Sequence, residues 1–175
     1  MAYCLISSIF TTYRNCMAVH KLHIDEFGEI DYQLVAIHTS LEDYRLAYYL
    51  NRQLSVMLCK SRDEIQVKTQ NDITSFSRFI YECADSDEYW NLIENQGEVI
   101  STDHDAMPNL FAPNQLIATK VYLLPEFKKV NFFLKIESAR QATSAIIAAI
   151  NTIERVSTVY EVDIDKIKSK NNLIF

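Results

Sequence analysis

The chain predicts an α+β domain, a mostly antiparallel sheet of about five to seven strands with two helices packed on one face. Three observations lead there. Apolar residues alternate with period 2 in several separate stretches, the signature of strands with a buried side. Two other stretches carry apolar stripes at helical spacing. The segments follow one another as β-α-β-β-β-β-β-α-β, a β-α-β-β-α-β skeleton with added strands, and no internal repeat or linker divides them.

Lys21 to Ile30 (K-L-H-I-D-E-F-G-E-I) reads as a short edge strand before a turn at Gly28. Tyr32 to Thr39 is apolar on both sides, with Leu34 and Ala36 on one face and Val35 and Ile37 on the other, as a central strand requires. Ser40 is placed to cap a helix running to about Leu54, its hydroxyl accepting the amide of Asp43. Leu46, Ala47, Leu50 and Leu54 form the stripe of that helix, flanked by Tyr44 and Tyr48, while Arg45, Tyr49 and Arg52 face away.

From Glu64 the period returns to 2. Ile65 and Val67, then Phe76, Arg78 and Ile80 opposite Phe79 and Tyr81, read as two antiparallel strands around a turn at Gln70 to Asp72. A third strand is expected at Tyr89 to Glu94, after the acidic turn Asp85-Ser86-Asp87-Glu88. Between Asn95 and Asn114, Gly, Pro, Asp and Asn thicken, which reads as the longest loop. The second helix is expected over Ser138 to Arg155, with Ala142, Ala145, Ile146, Ala149, Ile150 and Ile153 on its buried face and Ile147 off it. A last strand, Thr158 to Asp165, is read with Tyr160, Val162 and Ile164 inward.

The strongest pattern lies at Lys120 to Glu137, K-V-Y-L-L-P-E-F-K-K-V-N-F-F-L-K-I-E. Val121 and Leu123 alternate on the way in, and Val130, Phe132, Leu134 and Ile136 on the way out, so the segment reads as a β-hairpin. Pro125 opens its turn, and the tip offers Glu126, Lys128 and Lys129 to water. The stretch L-P-E-F-K-K-V-N-F (Leu124 to Phe132) resembles the signature of the IPExxxVDY family, small bacterial proteins of unknown function. The likeness continues at A-I-H-T-S-L-E-D-Y-R-L-A-Y-Y-L-N (Ala36 to Asn51) and K-S-K-N-N-L-I-F (Lys168 to Phe175). It departs at Leu124, Asn131 and Phe132, where the signature has Ile, Asp and Tyr. The resemblance implies a start near Met17, which leaves residues 1–16 as a non-native or disordered extension and 17–175 as the single domain. It also implies a partner in RNA processing or metabolism, since genes of that family often neighbour those for ribonuclease III and pyruvate kinase.

Length and composition narrow the function. A chain of 175 residues, 49% hydrophobic and 23% charged, fits one globular domain. Two glycines, Gly28 and Gly97, cannot build a phosphate-cradling loop or a G-x-S-x-G elbow. Cys4, Cys16, Cys59 and Cys83 lack C-x-x-C spacing and read as reduced, mostly buried thiols in a cytoplasm. The apolar run Ala2 to Phe10 is too short for a membrane span and has no preceding positive charge. Charge is uneven: Met17 to Thr119 holds seven Lys/Arg against seventeen Asp/Glu, whereas Lys120 onward holds nine against six. The acidic two-thirds would repel a phosphate backbone.

His38 ends a central strand just before a helix, a place where catalytic or anion-binding groups sit, and is the one catalytic candidate. Unpartnered, it reads as a half-buried structural histidine. His20 and His23 (H-x-x-H) and Asp103-His104-Asp105 carry ligand-type atoms without a completed metal set, so no metal and no cofactor are expected. Leu173-Ile174-Phe175 is expected to pack on the domain, and Ile147 with Tyr49 marks a surface for a homodimer. The expectation is a non-catalytic interaction module that meets a protein partner through Pro125, Glu126, Lys128 and Lys129 and the basic C-terminal third. A small enzyme or ligand-binding domain centred on His38 and an RNA-processing accessory protein are the alternatives.

Overall fold

A computed structural model of the chain describes residues 32–68, 73–83, 85–102 and 116–175. The expectations for residues 1–30, for the turn at Gln70 to Asp72 and for Asp103-His104-Asp105 lie outside them. The element order is β1 (Tyr32–Thr39), α1 (Asp43–Leu54), β2 (Cys59–Lys60), β3 (Ile65–Lys68), β4 (Ile73–Phe76), β5 (Arg78–Cys83) and β6 (Glu88–Glu94). It continues with β7 (Gln96–Thr102), β8 (Leu116–Tyr122), β9 (Phe132–Glu137), α2 (Thr143–Asn151) and β10 (Val156–Glu161).

The fold is α+β, as the interleaved periods predict. Six strands form one antiparallel sheet in the order β10-β1-β9-β6-β5-β2, and β3-β4 and β7-β8 form two-stranded ribbons. Both helices pack on one face. There Leu46, Ala47 and Leu50 of α1 and Ile146 and Ile150 of α2 meet Val35, Ile37, Trp90, Leu92, Leu134 and Ile136 of the sheet. On the other face Leu34, Ala36, Ile93 and Phe133 lie under Ile65 and Phe76 of the β3-β4 ribbon, Leu123 and Leu124 of the β8-β9 connection, and Val162, Ile167 and Leu173 of the C-terminal segment. A sheet covered on both sides explains why β1 is apolar at consecutive positions.

The hairpin at Lys120 to Glu137 does not form. β8 pairs with β7, and β9 lies between β1 and β6, so both edges of β9 are already hydrogen-bonded. The segment between them is a turn of 3-10 helix, Pro125–Phe127. The alternation was a poor guide here because the second face is also buried: Leu123 and Leu124 are both inside, as are Phe132 and Phe133. The expected loop after Asn95 begins instead as β7, whose Gly97 lets the strand approach the Thr74 and Phe76 side chains of β4.

Smaller differences have local causes. α1 starts at Asp43 after Glu42, and Ser40 does not cap it; Thr39 Oγ1 accepts the Leu41 amide at 3.1 Å and Asp43 Oδ1 accepts that of Tyr44 at 2.7 Å. α2 is shorter than its stripe, because Ala142 is extended and the chain leaves the helix after Asn151. Ile147 packs against the helix-side core, whereas Ala145 is exposed. In β10 it is Val159 that faces the core, and Tyr160 is 37% exposed. Cys59 is exposed because β2 is a two-residue strand at the sheet edge, and Cys83 is half-buried, against the expectation of buried thiols. No helix among the described residues is long and apolar enough to cross a membrane.

Candidate functional site

The turn carrying Pro125, Glu126, Lys128 and Lys129 is held from beneath by one residue, Asn95, which has no exposed surface. Its Nδ2 donates to the carbonyls of Phe127 and Val130 at 2.9 and 3.0 Å, and its Oδ1 accepts the Leu124 amide at 2.9 Å. Its backbone amide donates to Asn131 and its carbonyl accepts from Leu123. Every polar group of Asn95 is thereby used, so a buried amide becomes a rigid peg rather than a liability.

Glu126 does not point freely into water. Its Oε1 accepts the amides of Lys168 and Ser169, each at 2.7 Å, and its Oε2 accepts the Ser169 hydroxyl at 3.1 Å. Burial pushes this carboxyl up, but the amide and hydroxyl donors outweigh it and hold Glu126 below its ordinary value. Asn172 Nδ2 also donates to the Leu123 carbonyl at 2.7 Å. The turn and the C-terminal segment are thus one unit. Lys128, Lys129 and Lys168 are exposed on it, and among the described residues none has a carboxylate within 4.0 Å; Lys166 and Lys170 pair with Asp163 and Asp165.

His38 lies on the strand next to the sheet edge, with its ring stacked on Tyr160 at a centroid distance of 5.8 Å. Its carbonyl accepts the Ser157 hydroxyl at 3.0 Å, and among the described residues its ring has no hydrogen-bond partner. Leu173 is buried as expected of a packed terminus, whereas Ile174 is 78% exposed and Tyr49 is also exposed. No group of three His, Cys, Asp or Glu able to hold a metal occurs among the described residues.

Two charged clusters escaped the sequence reading. At the start of α1, Asp43 Oδ2 accepts from the Ser77 hydroxyl at 2.8 Å and from Lys60 Nζ at 3.2 Å. Burial pushes Asp43 up, but the Ser77 and Tyr44 hydrogen bonds and Lys60 outweigh it and hold it below its ordinary value; burial first and Asp43 second raise Glu94 above its own. The second cluster lies on the sheet face away from the helices. Lys135 is only 7% exposed and pairs with Glu137 Oε1 at 2.7 Å, while its ammonium also donates to the Leu173 carbonyl at 3.1 Å. Nearby, Arg78 donates through Nε to Asn91 Oδ1 at 2.9 Å and through Nη2 to the Tyr89 hydroxyl at 2.6 Å. Lys135 sits on a strand that reads as alternating, so its charge is expected outside; only the C-terminal segment folded over it makes it internal. No protein-family model, curated protein or solved structure matches the chain.

Proposed function

We propose that the chain is a non-catalytic interaction module that docks an acidic surface of a protein partner on the unit formed by the Pro125–Lys129 turn and the C-terminal segment. The observation that carries this reading is the Glu126 clamp. By gripping the amides of Lys168 and Ser169, it brings Lys128, Lys129 and Lys168, which have no carboxylate partner among the described residues, into one neighbourhood on a stiff support. Preorganised charges steer association and select against wrong partners at little ordering cost. His38 stacks on Tyr160 and, among the described residues, has no carboxylate paired with its ring, which gives the enzyme reading less support.

The test is affinity purification of the full chain from its source cells, in parallel with a Lys128→Glu, Lys129→Glu variant. The expected result is a specific protein whose recovery falls about tenfold in the variant, as rim-charge reversals do. An unchanged set of partners overturns the reading. Recovery of RNA in place of protein, lost steeply as salt rises, would transfer the surface to the RNA-accessory alternative.

A further inference from the structure

The two edges of the six-stranded sheet are unequal. β2 closes one edge with two residues, one of them Lys60, the short and charged form in which an edge resists pairing with other chains. β10 closes the other with six, V-S-T-V-Y-E, rich in β-branched residues, without proline and without charge before Glu161. Among the described residues no strand lies on its outer side. The register shift at Ser157 bulges the start of the strand and leaves Thr158 to Glu161 regular.

Register fixes which backbone groups of β10 point outward. The Val162 amide donates to the Leu34 carbonyl at 2.8 Å, whereas the Ile37 carbonyl accepts from the Asn131 amide on the far side of β1. Antiparallel alternation therefore turns the backbone groups of Tyr160 and Thr158 toward β1 and leaves the N–H and C=O of Val159 and Glu161 facing away from the sheet. The Val159 side chain is buried on the helix side, and Tyr160 lies on the opposite face, stacked on His38 and 37% exposed.

The surface beside this edge is equally bare of charge. From Gln141 to Tyr160 the only charged residues are Glu154 and Arg155, adjacent and opposite in sign, in a chain of net charge −6. α2 packs beside β10 and exposes Ser144, Ala145 and Ala148, none with the charge or bulk to hold another molecule off. Ile147, expected on a homodimer surface, packs on the core instead. Two acidic copies repel each other least along such a strip, and charge depletion around an exposed aromatic residue is the composition of an interface centre.

We propose that β10 is a dimerisation edge, joining two copies of the chain into one continuous sheet across a two-fold axis at Tyr160. The position of the axis follows from the outward groups. With Tyr160 opposite Tyr160 of the second copy, Val159 of each copy pairs with Glu161 of the other, and every outward N–H and C=O of these residues finds a partner. An axis at Val159 would instead send Glu161 to the bulged Ser157. In the Tyr160 register no like charges stand directly opposite, and the two exposed rings form a close cross-strand pair. This surface shares no residue with the Pro125–Lys129 turn, so it stands independently of the docking reading.

The test is sedimentation velocity of the full chain over a range of concentrations, which is expected to show a monomer–dimer equilibrium. Glu161→Pro removes an outward amide and no bond to β1, and is expected to be monomeric where the unchanged chain is dimeric, with the same circular-dichroism spectrum. The register is tested by oxidation of Tyr160→Cys and Thr158→Cys, each in a chain also carrying Cys4→Ser, Cys16→Ser, Cys59→Ser and Cys83→Ser. At the axis the two Cα atoms lie about 4.5 Å apart, within disulfide reach, whereas the two Thr158 positions lie about 14 Å apart. Tyr160→Cys is therefore expected to give a covalent dimer and Thr158→Cys to remain uncrosslinked. A chain that stays monomeric at millimolar concentration would overturn the proposal, as would a Glu161→Pro dimer as tight as the unchanged one. If Glu161→Pro does not fold, the cysteine variants decide: crosslinking of Thr158→Cys as fast as that of Tyr160→Cys overturns the assigned edge.

Discussion

Single residues with little tolerance decide how the second face of the sheet is covered. A methyl group on Gly97 would sit 2.7 Å from Thr74 Cγ2 and 3.2 Å from the Phe76 ring, and Phe76 is fully buried. Gly97→Ala should therefore destabilise the chain by about 1–3 kcal/mol, read as a lower midpoint in urea denaturation with an unchanged slope. Asn95→Ala should cost about 2–4 kcal/mol in the same assay, because it strands the Leu124 amide and two carbonyls in the interior. Neither role is visible in the sequence. Asn95 and Gly97 read as punctuation of a loop, since their chemistry favours turns, and only residues distant in sequence give them a buried task.

At the level of elements, the clamp between the turn and the C-terminal segment is a pH-dependent part of the fold. Glu126 titrates below its ordinary value of 4.5, so its contribution is present above that pH and is lost as the pH falls through the lower folded value. Glu126→Gln should flatten the fall in melting temperature below about pH 4.5, and at neutral pH it should speed amide exchange at Lys168 and Ser169. The effect on global stability stays small because the carboxylate is largely exposed. Strands β1 and β6 and the α1 stripe were legible from their apolar content and spacing, and the α2 stripe only in part, since Ala142 and Ala145 are exposed while Ile147 packs on the core. The partner of β9 was not legible. Alternation fixes which residues share a face, but it does not say which strand lies alongside, and Phe133 and Lys135 are inside because the β3-β4 ribbon, the β8-β9 connection and the C-terminal segment close over that face.

For the whole molecule, the excess of basic residues after Lys120 includes Lys128 and Lys129, which are exposed beside the docked C-terminal segment. Reversing both lysines changes the formal charge from −6 to −10, each reversal removing two units, and should leave the melting temperature within about 2 °C because surface charges contribute little to stability. A fall in binding without a fall in melting temperature separates a contact surface from a structural one. Of the expected interaction residues, Lys128 and Lys129 are exposed, Glu126 has a structural duty, and Pro125 starts the 3-10 turn.

The strand order of the sheet also sets a timetable. β1 is among the first described elements to leave the ribosome, yet its neighbours are β9 and β10; Val35 faces Leu134 on one side and Glu161 on the other, about a hundred residues downstream. Until those strands emerge, the fully apolar run Leu34 to Ile37 has no partner on either edge. The nascent chain thus carries an apolar strand with both edges unpaired until strands about a hundred residues further along have been made, and the sheet can close around it only then.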